Sequence, residues 1–237
     1  MEINAPVKLI IKKEPELFRQ ILPLKGACIV ELGCGSAALT RYIANECEPA
    51  SILACEVDLV QHTKNSARTN LPNVTFVVAG AESIPASDSS ADIVLMFKSL
   101  HHVPKNCLAD AMSEICRVLR PGGLAYISEP VYAGDFNEIL RLFHNEKTMR
   151  ENAFEAVFSA VYEGIFELVS QHFFHMPRAF NSFDEFEQRM INVTHTDHRL
   201  TPELLAAVEA RYDDFAIDGR VCLTAPMRVD LLRRPIV

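Results

Sequence analysis

The sequence predicts an α/β domain built on a mostly parallel sheet with helices on both faces. Three observations carry this expectation. Between Ala27 and Pro130, short β-branched or apolar runs alternate with amphipathic helical segments, the rhythm of strand–helix–strand units. Gly33 and Gly35 follow the first apolar run at once and precede a helical pattern. After Pro130 the rhythm changes to a helical, aromatic-rich stretch and becomes strand-like again only near the end.

In chain order, a leading helix over Glu14–Leu22 ends at Pro23 and packs ahead of the first strand. The expected strands are Ala27–Leu32, Ser51–Val57, Val74–Ala79, Asp92–Phe97 and Leu124–Ser128, with helices near Ala37–Cys47, Leu59–Thr69 and Lys105–Leu119. Pro121-Gly122-Gly123 stops the last of these helices and turns the chain into the fifth strand. Asp135–Val169 reads as helical, and the aromatics from Phe136 to Phe174 mostly sit at a helical spacing that suits a packed lid core better than a stacking platform. Ser182–Ile191 and Thr201–Tyr212 read as two more helices, with Ser182 and Thr201 as N-caps and Pro202 at a first helical position. Arg220–Thr224 and Met227–Leu232 are strand-like. The expected organisation is one domain: a helical segment over 1–23, a ligand-binding core over 24–130, a helical lid over 131–215 and final strands over 216–237.

Composition narrows the function classes. A chain of 237 residues, 49% hydrophobic and 23% charged, can bury a full core without metal or disulfide staples. The 7 cysteines are an odd number, scattered and without a CxxC pair, which favours reduced core thiols and a cytoplasmic location. No run approaches the roughly 18 apolar residues of a membrane span. A net charge of −8 without a dense Lys/Arg cluster disfavours nucleic acid as partner and suits a small molecule or a basic protein segment.

The chemistry concentrates in Ile29-Val-Glu-Leu-Gly-Cys-Gly-Ser-Ala37. A strand ending in an acid, a glycine bend and a helix start form a place for a nucleotide-like ligand. Glu56 closes the next apolar run 21 residues beyond Gly35, where a ribose needs an acceptor. The string Gly33-Cys-Gly35-Ser-Ala-Ala38 also satisfies a loose dinucleotide fingerprint, so a nicotinamide enzyme is the competing reading. Glu31 weighs against it, because an acid there suits an ammonium or sulfonium centre better than a pyrophosphate.

These residues, with Ala81-Glu82-Ser-Ile-Pro85, Ala91–Val103 and Arg117-Val-Leu-Arg-Pro-Gly-Gly123, resemble the class I S-adenosylmethionine-dependent methyltransferases, in particular the UbiE-like or type 11 group. The resemblance covers roughly Leu22–Pro130. It implies a Rossmann-like sheet of seven strands with the last antiparallel, and a helical lid before the final strands. It further implies S-adenosyl-L-methionine as methyl donor, with S-adenosyl-L-homocysteine as product. Glu31, Gly33, Cys34 and Gly35 would surround the methionine part, and Glu56 would take the ribose hydroxyls. Val57 would pack on adenine, Ala81 and Glu82 would line its edge, and Phe97 and Lys98 would border the methyl-donor end. Two departures stand out: Ala37 holds the place of a third glycine, and Gly80 replaces the acid expected before Ala81.

Acceptor-side candidates are less specific. His101 and His102 follow the fourth strand, as a general base or as a structural turn. Glu129, Tyr132, Arg178, His195 and His198 are candidates for a substrate pocket, though Glu129 could equally cap a helix. Thr194-His-Thr-Asp-His198 invites a metal hypothesis but fits no established zinc spacing, so no metal is expected. The expected reaction is methyl transfer to an O, N, S or C nucleophile of a small molecule. A protein side chain as acceptor, and cofactor binding without transfer, are the alternatives.

Overall fold

The computed structural model describes residues 1–6, 9–67, 70–193 and 196–236. One seven-stranded sheet runs through it, in the order β3-β2-β1-β4-β5-β7-β6. The strands are β1 Cys28–Leu32, β2 Ser51–Glu56, β3 Val74–Val78, β4 Ala91–Phe97, β5 Leu119–Pro130, β6 Glu167–Phe180 and β7 Val221–Arg233. Strands β1 to β5 pair in parallel, and β7 runs antiparallel to both β5 and β6. Near-continuous apolar burial along β1 and β4 follows from their central position, covered on both faces.

The helices are α1 Glu14–Ile21, α2 Ala38–Glu46, α3 Leu59–Ser66, α4 Leu108–Val118, α5 Asp135–Leu140, α6 Lys147–Tyr162, α7 Phe183–Phe186 and α8 Pro202–Asp213. One face of the sheet is packed by α4 and α6, whose Leu108, Met112, Ile115, Ala153 and Val157 join Val30, Val94 and Ile127. The other takes α1 and α2, through Leu17, Phe18 and Ile43 against Ile29, Ile93 and Tyr126. A third cluster, among α5, α7, α8 and the ends of β6 and β7, closes over one end of the sheet. Side-chain caps fix helix starts as expected: Ser182 Oγ accepts from Glu185 N, and Thr201 Oγ1 accepts from Leu204 N.

Four expectations are corrected. Asp135–Val169 is not one helical stretch: α5 and α6 are separate, and β6 begins at Glu167. The expected lid over 131–215 is therefore split, with α5 and α6 before β6, and α7 and α8 after it. β6 is an edge strand of mixed polarity, held by thirteen register partners on β7 from Glu167↔Arg233 to Phe180↔Val221, so pairing and not local propensity makes it a strand. The last two strand-like segments form one strand, β7, which passes through Pro226. Val131 N donates to Pro226 O at 2.8 Å just beyond the last β5–β7 partner, Pro130↔Met227, so the missing proline N–H breaks no bond of that ladder. Pro121-Gly122-Gly123 sits inside β5 and not ahead of it. It is looped out between the register partners Ala91↔Leu119 and Ile93↔Leu124.

Candidate active site

The order of strand addition reverses between β1 and β4, and the crevice that such a reversal leaves outside the C-terminal strand ends is the cleft of this sheet. The turn after β1 is held from three sides. Gly33 N and Cys34 N donate to Cys55 O at 3.0 Å each. Asn65 Nδ2, from the buried face of α3, donates to Gly35 O at 2.7 Å. Glu56 Oε2 accepts from Gly35 N at 2.6 Å, and its Oε1 accepts from Asp58 N at 2.9 Å. Gly33 has φ +70°, and a Cβ there would lie 2.6 Å from Ser99 Cβ. Gly35, at φ +54°, has no atom within 4 Å of the place a Cβ would take, so the bend is open on that side.

Glu31, 2% exposed, ends with Oε2 buried and without a partner. Its loss of water pushes its carboxyl up to about 7, opposed by the Thr40 hydroxyl and then by Lys98. Burial raises the Cys34 thiol far above its ordinary range, so it is an unreactive wall of the turn. Val57 is exposed beside the cleft and Ala81 is buried. The Glu82 carboxylate lies over Gly80, in the space that a side chain at 80 would fill. Phe97 is committed to the core, its ring 5.7 Å from Phe18 and 5.6 Å from Tyr126. Ala37 takes φ +56°, the left-handed conformation a glycine adopts without strain.

Lys98, the next residue after β4, joins this cleft to a cavity of about 160 Å³. It lies within electrostatic reach of Glu31, and it lines the cavity with His101, His102, Phe136, His144, Glu146, Arg150, Arg178 and His198. At its base stands a buried charge network. His101 Nδ1 bonds Glu129 Oε2, and His101 Nε2 lies 3.4 Å from Glu146 Oε1. His144 Nε2 lies 2.9 Å from the same Glu146 oxygen, while Arg150 pairs with Oε2. Burial by itself would lower the His101 pKa; Glu129 and Glu146 outweigh it and raise the ring to about 9. The same contacts hold both carboxylates below their usual range against the opposing effect of burial.

The sequence-derived candidates therefore separate. His101 is clamped as an imidazolium between two acids and has no free lone pair at neutral pH, which corrects its reading as a base. His102 is exposed, with its ring 4.1 Å from that of His101. Glu129 and Tyr132 are not on the cavity wall. Glu129 instead accepts from Leu100 N at 2.9 Å and so ties the turn after β4 to β5. Tyr132 lies under Arg150, 5.9 Å from ring centre to guanidinium. Arg178 and His198 do line the cavity, and His195 lies outside the described residues. Among the described residues, His101, His102 and Glu146 form a group with metal-ligand spacing, within 4.8 Å of one another. Both nitrogens of His101 and both oxygens of Glu146 already have partners within the protein.

His144, Glu146 and Arg150 were hidden in the stretch read as helix. Their one signal is a Glu–Arg pair four residues apart. Asn65 was missed too, and a polar residue on the inward face of a helix was its only trace.

A methyltransferase-domain profile matches residues 29–123, the stretch that holds the glycine bend, Glu56, Glu82 and the turn after β4. The matched stretch is a methyltransferase domain of the class I S-adenosylmethionine-dependent kind. Over 100 residues the chain is 33% identical to phthiotriol/phenolphthiotriol dimycocerosates methyltransferase 1 of Mycobacterium ulcerans, covering 42% of this chain and 36% of the relative. The match thus spans little more than a third of that relative's length. In fold it is similar to a crystal structure from Bacillus halodurans assigned as a methyltransferase, with TM-score 0.66 and 21% identity over 94% of this chain and 99% of the other. It is also similar to the [4+2]-cyclase SpnF, with TM-score 0.61 and 22% identity over 94% and 80%. The family implies S-adenosylmethionine as cosubstrate, and the cleft fits it: the unpartnered Glu31 oxygen can accept from an ammonium, and the open bend at Gly35 leaves room for close approach. Among the described residues, no helix of the chain is long and apolar enough to cross a membrane.

Proposed function

We propose that this methyltransferase moves the methyl group of S-adenosylmethionine to a nucleophilic atom of a small molecule held in the cavity beside Lys98. The observation that carries the reading is the position of Lys98, which lies within electrostatic reach of Glu31 and also lines the cavity. Glu31 receives the donor's ammonium, with the backbone around Gly33, Cys34 and Gly35 forming the wall. Glu56 keeps acceptor lone pairs beyond its two backbone bonds and takes the ribose hydroxyls. Val57 covers the adenine face and Ala81 lies along its edge. Glu82 supplies the carboxylate that position 80 lacks.

The bound donor supplies an electrophilic methyl on a positively charged sulfur, displaced in line by the nucleophile. The chain's own residues hold the acceptor in line and limit its access to water under α5 to α8, which is where the rate is gained. The clamped His101 orders the cavity base. His102 is the ring placed to take a proton when the acceptor carries one. A volume of about 160 Å³ supports a small acceptor over an extended protein segment.

The test is calorimetric titration with S-adenosylhomocysteine and NADH side by side, followed by labelled-methyl transfer to fractionated small molecules and to protein. Binding of S-adenosylhomocysteine and label in the small-molecule fraction are expected; binding of NADH alone refutes the reading. The likeness to a cyclase of the same fold keeps one alternative in view. Tight cofactor binding without label in any fraction supports that alternative.

A further inference from the structure

We infer that the acceptor carries an anionic oxygen group, a carboxylate or a phosphate, and that Lys98 and Arg178 receive it. The inference rests on the cleft being the donor site and concerns the other half of the reaction.

The cavity wall contrasts in charge with a chain of net charge −8. Four of its side chains are Lys or Arg, and its one carboxylate, Glu146, is spent on Arg150, His101 and His144. Two of the four cations have protein partners: Arg150 pairs with Glu146, and Arg189 pairs with Glu185 at 2.7 Å. The side chains of Lys98 and Arg178 have no ion pair or hydrogen bond with any described residue, and Arg178 Nε is fully buried without a partner. The Arg178 guanidinium is steadied by the ring of Phe136, 5.3 Å away, which also lines the cavity.

Burial disfavours the charge on both Lys98 and Arg178, and the Arg178 charge further depresses Lys98. Glu14 is the strongest opposing charge on Lys98 and also acts on Arg178; its Oε1 accepts from the Tyr126 hydroxyl at 2.7 Å and its Oε2 is buried without a partner. Glu129 and Glu31 also reach Lys98 electrostatically, the first already bound to His101 and the second about half protonated near neutral pH. None of these carboxylates makes a direct ion pair with Lys98 or Arg178, and two half-sheltered cations without a direct partner are costly unless a ligand brings the anion. Lys98 also holds φ +57°, a left-handed conformation that a lysine keeps only where the surroundings impose it. The anion belongs to the acceptor and not to the donor because Arg178 stands on β6, at the opposite edge of the sheet from β2 and β3, while the donor-facing acids stand on β1 and β2.

The test uses the full chain saturated with S-adenosylhomocysteine and matched probes: acetate, benzoate and hexanoate against their amides, and inorganic phosphate against sodium chloride at equal ionic strength. Calorimetry is expected to give at least one anion tenfold tighter binding than its neutral or chloride control. That preference should vanish in Arg178→Gln and Lys98→Met, and in Arg178→Gln the affinity for S-adenosylhomocysteine should change less than twofold. Equal binding of acids and amides to the unaltered protein overturns the inference and requires no variant to fold. So does a tenfold loss of S-adenosylhomocysteine affinity in both variants with no loss for its decarboxylated analogue, because the cations then serve the donor's own carboxylate. Failure of S-adenosylhomocysteine to bind the unaltered protein sinks the donor assignment instead; the probe panel run without it still decides the anion preference.

Discussion

Glu56 on β2 and Arg178 on β6 stand towards opposite edges of one sheet and hold their charges in opposite ways. Glu56 is bonded to two backbone N–H groups, and Glu31 beside it is buried with one oxygen unpartnered. The Arg178 side chain has an aromatic ring under it and no hydrogen-bond partner among the described residues. The first edge is a rigid acidic cradle assembled around a backbone turn. The second is a cationic cavity assembled from four separate elements, with Lys98 where the two meet. The difference teaches that cofactor and acceptor sites are under different constraints: one is fixed by backbone geometry, the other by long side chains on a scaffold that can vary.

That contrast is broken most sharply at Gly33. Gly33→Ala places a methyl 2.6 Å from Ser99 Cβ at a φ of +70°. A loss of about 3 kcal/mol or more in stability is expected by urea unfolding. A cost under 1 kcal/mol would mean that the turn is not rigid.

On the cavity side the comparable test is pH. His101 binds its proton more tightly when folded, at about 9 against an ordinary 6.5. Its pairing therefore stabilises the fold fully below about pH 6.5 and is lost as pH rises through about 9. The expected decline in unfolding free energy across that window is on the order of 3 kcal/mol. His101→Asn should flatten it, and an unaltered slope in that variant would contradict the clamp.

What was readable in the chain follows the same division. The bend at Gly33–Gly35, the acids at 31 and 56 and the alternation up to β5 are local signals, because a parallel strand–helix unit is specified by contiguous residues. β6 escaped notice because Gln171, His172 and Arg178 interrupt any alternation, and its pairing with β7 joins residues as far apart as Glu167 and Arg233. The His101–Glu129–Glu146 network was unreadable for the same reason. Its members come from the turn after β4, from β5 and from the segment before α6, brought together only by packing.

Two smaller effects sharpen the picture. Glu56→Ala should weaken binding of S-adenosylhomocysteine by about 1–3 kcal/mol in calorimetry, through lost hydrogen bonds to ribose. Unchanged affinity in a folded variant would remove that role. Lys98→Gly relieves a left-handed non-glycine backbone and a buried charge, so a gain of about 1 kcal/mol in stability is expected from thermal unfolding. A loss of stability would mean that Lys98 is held for structural reasons and not for a ligand.

The most direct measurement of the central claim is a crystal structure of the chain with S-adenosylhomocysteine bound. The account predicts ribose hydroxyls on Glu56, the ammonium on Glu31, and the sulfur facing the cavity beside Lys98. A molecule bound elsewhere, or one whose sulfur points away from that cavity, would contradict it.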